Sequence, residues 1–130
     1  MKIWLVVLCE LFERFSHNLS RYSERLDVRR TTSDRFFESV DTGNSAFQSF
    51  DLVHVDGDHS FEQVQRDAEN AWRVVKEGGF IAFDDYFWGP LRGSSLSPSH
   101  AINGFLRERK GHYRLVDCTY QLLIQKLRSS

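Results

Sequence analysis

The chain has 130 residues, of which 41% are hydrophobic, 27% charged and 14% aromatic, with a net charge of −1. These proportions exclude a disordered or fibrous chain and supply the core of one domain, residues 1–130. The near-neutral balance gives no general attraction to nucleic acid or to an anionic membrane, so neither is an expected partner.

The apolar run from Ile3 to Cys9 falls far short of the roughly 20 residues that cross a bilayer. Leu8-Cys9-Glu10 lacks the small residues that precede a signal cleavage site. A cytoplasmic protein is expected. Cys9 and Cys118, too few for a disulfide framework or a zinc site, read as thiols in a reducing compartment.

Ile3 to Cys9 reads as a buried strand, apolar without alternation, as parallel strands covered on both faces are. Leu11 to Tyr22 follows as a helix with Leu11, Phe12, Phe15 and Leu19 on one side. Leu26 to Arg30 is a short strand. Arg29-Arg30, like Arg107 to Lys110, reads as a solvated basic face. Ser33 or Asp34 caps a helix through Val40 that buries Phe36, Phe37 and Val40. Asp41 to Ser45 is a turn-rich loop.

Phe50 to Val55 is the next strand, and Ser60 starts the best-marked helix. Gln63 completes a capping box with Ser60. Phe61, Val64, Ala68, Ala71, Trp72 and Val75 recur at helical spacing, leaving Arg66, Asp67, Glu69 and Arg73 mostly outward. Gly78-Gly79 ends this helix where positive φ is needed. Gly79 to Phe83 is a strand, and Trp88 to Pro98 a loop rich in Gly, Ser and Pro. Pro98 begins a helix to Lys110 that Gly111 stops. Arg114 to Asp117 and Tyr120 to Leu127 close the chain as a hairpin with a tight turn.

The functional signal lies at two strand ends. Phe50 to Val55 runs into Asp56-Gly57-Asp58-His59, and Gly79 to Phe83 runs into Asp84-Asp85. A right-handed strand–helix–strand crossover makes these strands parallel and brings both carboxyl ends to one rim, where open α/β sheets bind ligands. Asp56 and Asp84 are 28 residues apart, about one crossover unit, so they face each other on neighbouring strands. Carboxylate oxygens with open water positions suit Mg²⁺ or another hard divalent ion. Each cluster also has a plain structural use, as a strand-to-helix turn or a polar strand end. Asp58 in particular suits the N-terminus of the helix. His17, His54, His100 and His112 belong to no constellation.

The run from Phe50 through Asp56-Gly57-Asp58-His59, then Lys76-Glu77-Gly78-Gly79 and Phe83-Asp84-Asp85-Tyr86, resembles the class I S-adenosylmethionine-dependent methyltransferases. Within them it is most similar to the metal-dependent small-molecule O-methyltransferases of macrolide-sugar and catechol type. The resemblance is close over residues 50–88 and looser elsewhere. It implies an α/β fold with a Rossmann-like sheet, mostly parallel, ending in a C-terminal antiparallel hairpin. It further implies S-adenosylmethionine as cofactor and a divalent metal, Mg²⁺, on Asp56, Asp84 and Asp85, with the acceptor's hydroxyls completing the metal shell. His59 is then the general base, a task suited to imidazole near neutrality. Glu10, Ser33, Asp34 and Asp56 stand at positions matching cofactor-binding ones, and Tyr86, Phe87 and Trp88 lead into a loop that would cover the acceptor.

One departure from the family pattern has physical weight. No glycine occurs before Gly43, and no strand precedes Ile3, so the family's first strand and glycine-rich turn are missing. That turn lets the backbone approach the cofactor's methionine end. The domain is therefore expected to be N-terminally incomplete, with truncation the leading explanation and weak cofactor affinity for the chain alone, a point calorimetry checks. The leading function is S-adenosylmethionine-dependent O-methyl transfer to a hydroxylated small molecule, with a homo-oligomer compatible. The competing readings are a catalytically inactive methyltransferase-fold remnant that serves association, and a metal-dependent phosphoesterase.

Overall fold

A computed structural model describes residues 3–6, 12–41, 48–89 and 94–129. The chain divides into two compact units, Met1–Gly43 and Asn44–Ser130.

In the first unit, strand β1 (Ile3–Val6) pairs in parallel with β2 (Leu26–Arg29), Ile3 opposite Leu26 and Val6 opposite Arg29. Between them the expected helix is shorter than its apolar spacing suggests. Helix α1 covers Phe12–Asn18, and a 3₁₀ helix takes over at Ser20–Arg25. The reason is local: the Ser20 hydroxyl donates to the His17 carbonyl at 2.9 Å, and such short side-chain bonds compete with helical propagation. Helix α2 (Ser33–Asp41) is where expected, but its cap is Thr32, whose hydroxyl accepts the Arg35 N–H at 3.3 Å. Ser33 and Asp34 therefore lie inside the first turn. Residues Val7 to Leu11 of the expected strand and helix, Cys9 among them, fall outside the described residues, as does most of the loop expected from Asp41 to Ser45.

The second unit is a four-stranded sheet of order β3-β4-β6-β5. Strands β3 (Phe50–Val55) and β4 (Val75–Phe83) are parallel, joined through helix α3 (Phe61–Val74). Helix α4 (Pro98–Glu108) leads to β5 (Tyr113–Cys118) and β6 (Leu122–Lys126). Strand β6 is antiparallel to both β4 and β5. Inward-facing Ile81, Phe83, Leu122 and Ile124 meet Val64, Ala68 and Ala71 of α3 and Ala101, Ile102 and Phe105 of α4 in one buried cluster. Alternate strand residues share a face, and both helices cover that face.

Several details of this unit differ from what the sequence predicts. Helix α3 stops at Val74, before the glycines, because outside donors take its last carbonyls. Gln48 N–H reaches Arg73 O at 3.2 Å and Ser49 N–H reaches Val74 O at 2.8 Å, while Lys126 Nζ reaches Trp72 O at 2.9 Å. Gly78 (φ 81°) and Gly79 instead sit inside β4, where the register slips between Phe50↔Val75 and Leu52↔Phe80. A Cβ on Gly79 would lie 2.8 Å from Val75 Cγ2 and 3.0 Å from Asp51 O, so this irregularity requires glycine.

The Ser60/Gln63 capping box is not formed: the Ser60 side chain makes no cap bond. Asp58 Oδ1 accepts the Ser60 N–H at 2.9 Å, and Gln63 Nε2 turns to Asp67 at 3.0 Å. Asp67 is buried, not outward, and its carboxylate approaches Gly57, where a Cβ would come within 3.2 Å of it. Arg109, expected on a solvated face, is only 18% exposed; it pairs with Glu69 and lies over the Phe105 ring at 4.2 Å. Finally, Tyr120 falls in the hairpin turn and not in β6, the turn being closed by Thr119 N–H to Gln121 O at 2.9 Å.

Helix α4 follows its sequence signals at the start: Ser97 caps it through the His100 N–H at 3.2 Å, with Pro98 in the first turn. It ends at Glu108, two residues short of Lys110, and Gly111 follows with φ 89°.

Candidate active site

The parallel register of β3 and β4, His54↔Ala82 and Val55↔Phe83, places Asp56 and Asp84 side by side just past the strand ends. The Asp84 N–H donates to Val55 O at 3.0 Å, continuing the ladder one step beyond the pairing. Asp85 follows at once. One carboxylate oxygen from each of Asp56, Asp84 and Asp85 lies within 4.8 Å of the others. Asp56 is exposed, and the other two are half-buried.

His59 joins this group from the loop before α3. Its Nδ1 stands 3.4 Å from Asp85 Oδ2, and its ring stacks on Trp88 with centroids 4.4 Å apart. Carboxylate and indole together fix the orientation of the ring. Asp58 is spent on the Ser60 N–H, in keeping with a role at the start of α3.

Three neighbours of the acids lie outside the constellation expected from the sequence. His54 Nε2 lies 3.4 Å from Asp84 Oδ1; two residues before Asp56, it shares that residue's side of the strand. Gln121 Nε2 donates to Asp84 Oδ1, and the Tyr120 hydroxyl donates to Asp85 Oδ1 at 3.1 Å. The Tyr120 phenol is pushed above its usual range by loss of water around it, then by its bond to Asp85 and the charges of Asp85 and Asp84. Period-two alternation could have flagged His54, but Tyr120 and Gln121 become visible only once β6 is known to pair with β4.

Asp56, His59, Asp85 and the apolar Val64, Pro98 and Ile102 line a crevice of about 20 Å³. That is room for a water molecule or a single ion, far below the roughly 300–1,000 Å³ of an organic-ligand pocket. Three carboxylates are hard oxygen donors, so the residues present fit Mg²⁺ or a similar cation. Ser33 and Asp34, expected near the adenine, lie in the first turn of α2 in the Met1–Gly43 unit. Glu10 lies outside the described residues.

A methyltransferase-domain family model matches residues 6–86, well over half the chain. The chain belongs to this methyltransferase family. Its mixed sheet, parallel strands followed by an antiparallel hairpin, is that of the Rossmann-like class I S-adenosylmethionine-dependent methyltransferases. An uncharacterized protein of Acanthamoeba polyphaga mimivirus is 40% identical over 43 residues, 31% of this chain and 20% of its own. A Corynebacterium glutamicum protein superposes with a TM-score of 0.62 at 16% identity, covering 91% of this chain and 57% of its own. A candidate type 11 methyltransferase from Sulfolobus solfataricus superposes at 0.56 and 10% identity, over 99% of this chain and 73% of its own. The chain thus spans a fifth of the curated relative and little more than half of the Corynebacterium protein. Among the described residues, no helix is long and apolar enough to cross a membrane.

Proposed function

We propose that this methyltransferase-family chain takes part in S-adenosylmethionine-dependent, cation-assisted methyl transfer to a hydroxyl of a small molecule. One observation carries the reading: three carboxylates within 4.8 Å of one another with an imidazole 3.4 Å from one of them. Like charges gathered at this range repel one another, and a divalent cation would offset that repulsion. Asp56, Asp84 and Asp85 would hold the ion, which supplies Lewis acidity that lowers the pKa of a bound hydroxyl.

His59 has the remaining task. With Nδ1 facing Asp85, its Nε2 would accept the hydroxyl proton, and the carboxylate would stabilise the imidazolium that results. Trp88 holds the ring by stacking, which limits the geometries from which the proton can be taken. Because His59 flanks the cluster and does not enter it, the arrangement favours one cation and a base over the two-ion site of a phosphoesterase.

The test is methyl transfer from S-adenosylmethionine to a panel of hydroxylated acceptors, with Mg²⁺ or with a chelator. Transfer that needs the metal and is abolished in Asp85→Asn supports the reading. Transfer indifferent to both chelator and substitution overturns it.

A further inference from the structure

Continuing the β4–β6 register past its last pair, Phe83↔Leu122, sets Asp84 opposite Gln121 and Asp85 opposite Tyr120. The side chains meet accordingly, Gln121 on Asp84 Oδ1 and Tyr120 on Asp85 Oδ1. We infer that Tyr120 and Gln121 are positioning residues, which hold Asp84 and Asp85 in ligand geometry and make the turn of the C-terminal hairpin part of the site. The inference rests on the cation reading above.

The chemistry of the two donors supports this. A phenol and a carboxamide are neutral, so they orient a carboxylate without cancelling its charge. A lysine or arginine at either position would compensate the acids and compete with a metal ion. Each donor occupies a single oxygen, Oδ1, while Asp85 Oδ2 faces His59. The turn that carries them is closed by the Thr119–Gln121 backbone bond and is tied on both sides to paired strands. The placement therefore follows from strand register, which leaves the rim of β6 nowhere else to go.

Hydrogen-bond partners behind metal ligands typically contribute roughly 10–100-fold to metal affinity. Mn²⁺ titration of the full chain, followed by electron paramagnetic resonance, is expected to show at least about 10-fold weaker binding in Tyr120→Phe and in Gln121→Met. Their urea midpoints should stay at the wild-type value. Unchanged or tighter Mn²⁺ binding in both variants overturns the inference. A wild-type chain that binds no Mn²⁺ sinks the cation reading instead, and the positioning contact is then decided by NMR without metal. Movement of the Gln121 side-chain amide signals in Asp84→Asn, and of the Tyr120 ring signals in Asp85→Asn, supports it; signals that stay put overturn it.

Discussion

At the carboxyl rim of the four-stranded sheet three aspartates stand together, whereas at the opposite rim the cations Lys126 and Arg109 are satisfied by neighbours. Lys126 Nζ donates to Trp72 O at 2.9 Å and Val75 O at 3.3 Å and lies 4.9 Å from the centre of the Trp72 ring. Arg109 pairs with Glu69 and covers Phe105. These contacts border a broad cleft of about 620 Å³, yet their charge is spent on ending α3 and binding α4 to it. Asp84 and Asp85 are instead held by a carboxamide and a phenol, which orient without neutralising. Charge that is compensated builds the fold, and charge left uncompensated at a rim is available to a ligand.

Four substitutions probe this contrast. Asp85→Asn should reduce kcat/KM for methyl transfer about 1,000-fold, equivalent to about 4 kcal/mol, while the urea midpoint holds or rises because one of three like charges is gone. A variant within about tenfold of wild type would break the comparison at its functional end. His59→Gln should lose about 100-fold in rate but keep Mn²⁺ binding; if metal affinity fell with it, His59 would be a ligand and not a base.

At the other end the effects should be on stability. Gly79→Ala must fit a methyl group against Val75 and two backbone carbonyls, and a loss of about 1–3 kcal/mol is expected in urea unfolding, with Mn²⁺ affinity unchanged. The smallest effect is a pH slope. Burial holds the Lys126 ammonium below its ordinary value of 10.5, with Arg109 adding to the shift and Glu77 opposing it. Between the lowered folded-state value and 10.5 the unfolded chain binds the proton that the folded chain releases. Wild-type stability should therefore gain a rising contribution as pH climbs through that window, and Lys126→Met should lack it. Parallel slopes for the two proteins would remove Lys126 from the account.

Much of the site was legible because a parallel crossover has a narrow geometry. Two strand-like runs ending in acid, one helix between them and a 28-residue offset sufficed to bring Asp56 and Asp84 together. His59 followed from lying three residues beyond Asp56. The capping box failed because Asp58, two residues before the Ser60 N–H, was the nearer acceptor. Helix α3 ends ahead of its glycines because its last carbonyls are claimed by Gln48, Ser49 and Lys126, and two of these donors belong to the incoming strand's approach.

What the amino-acid order determined by itself was the class of fold and the acidic rim, since both depend on local periodicity and on one crossover of ordinary length. Tertiary structure alone decided that Tyr120 and Gln121 meet Asp84 and Asp85, that Asp67 turns inward beneath Gly57, and that Arg109 and Lys126 are spent on packing. Each of those outcomes depends on which strand or helix lies alongside, a matter of pairing between segments tens of residues apart, on which the spacing of side chains along the chain carries no information.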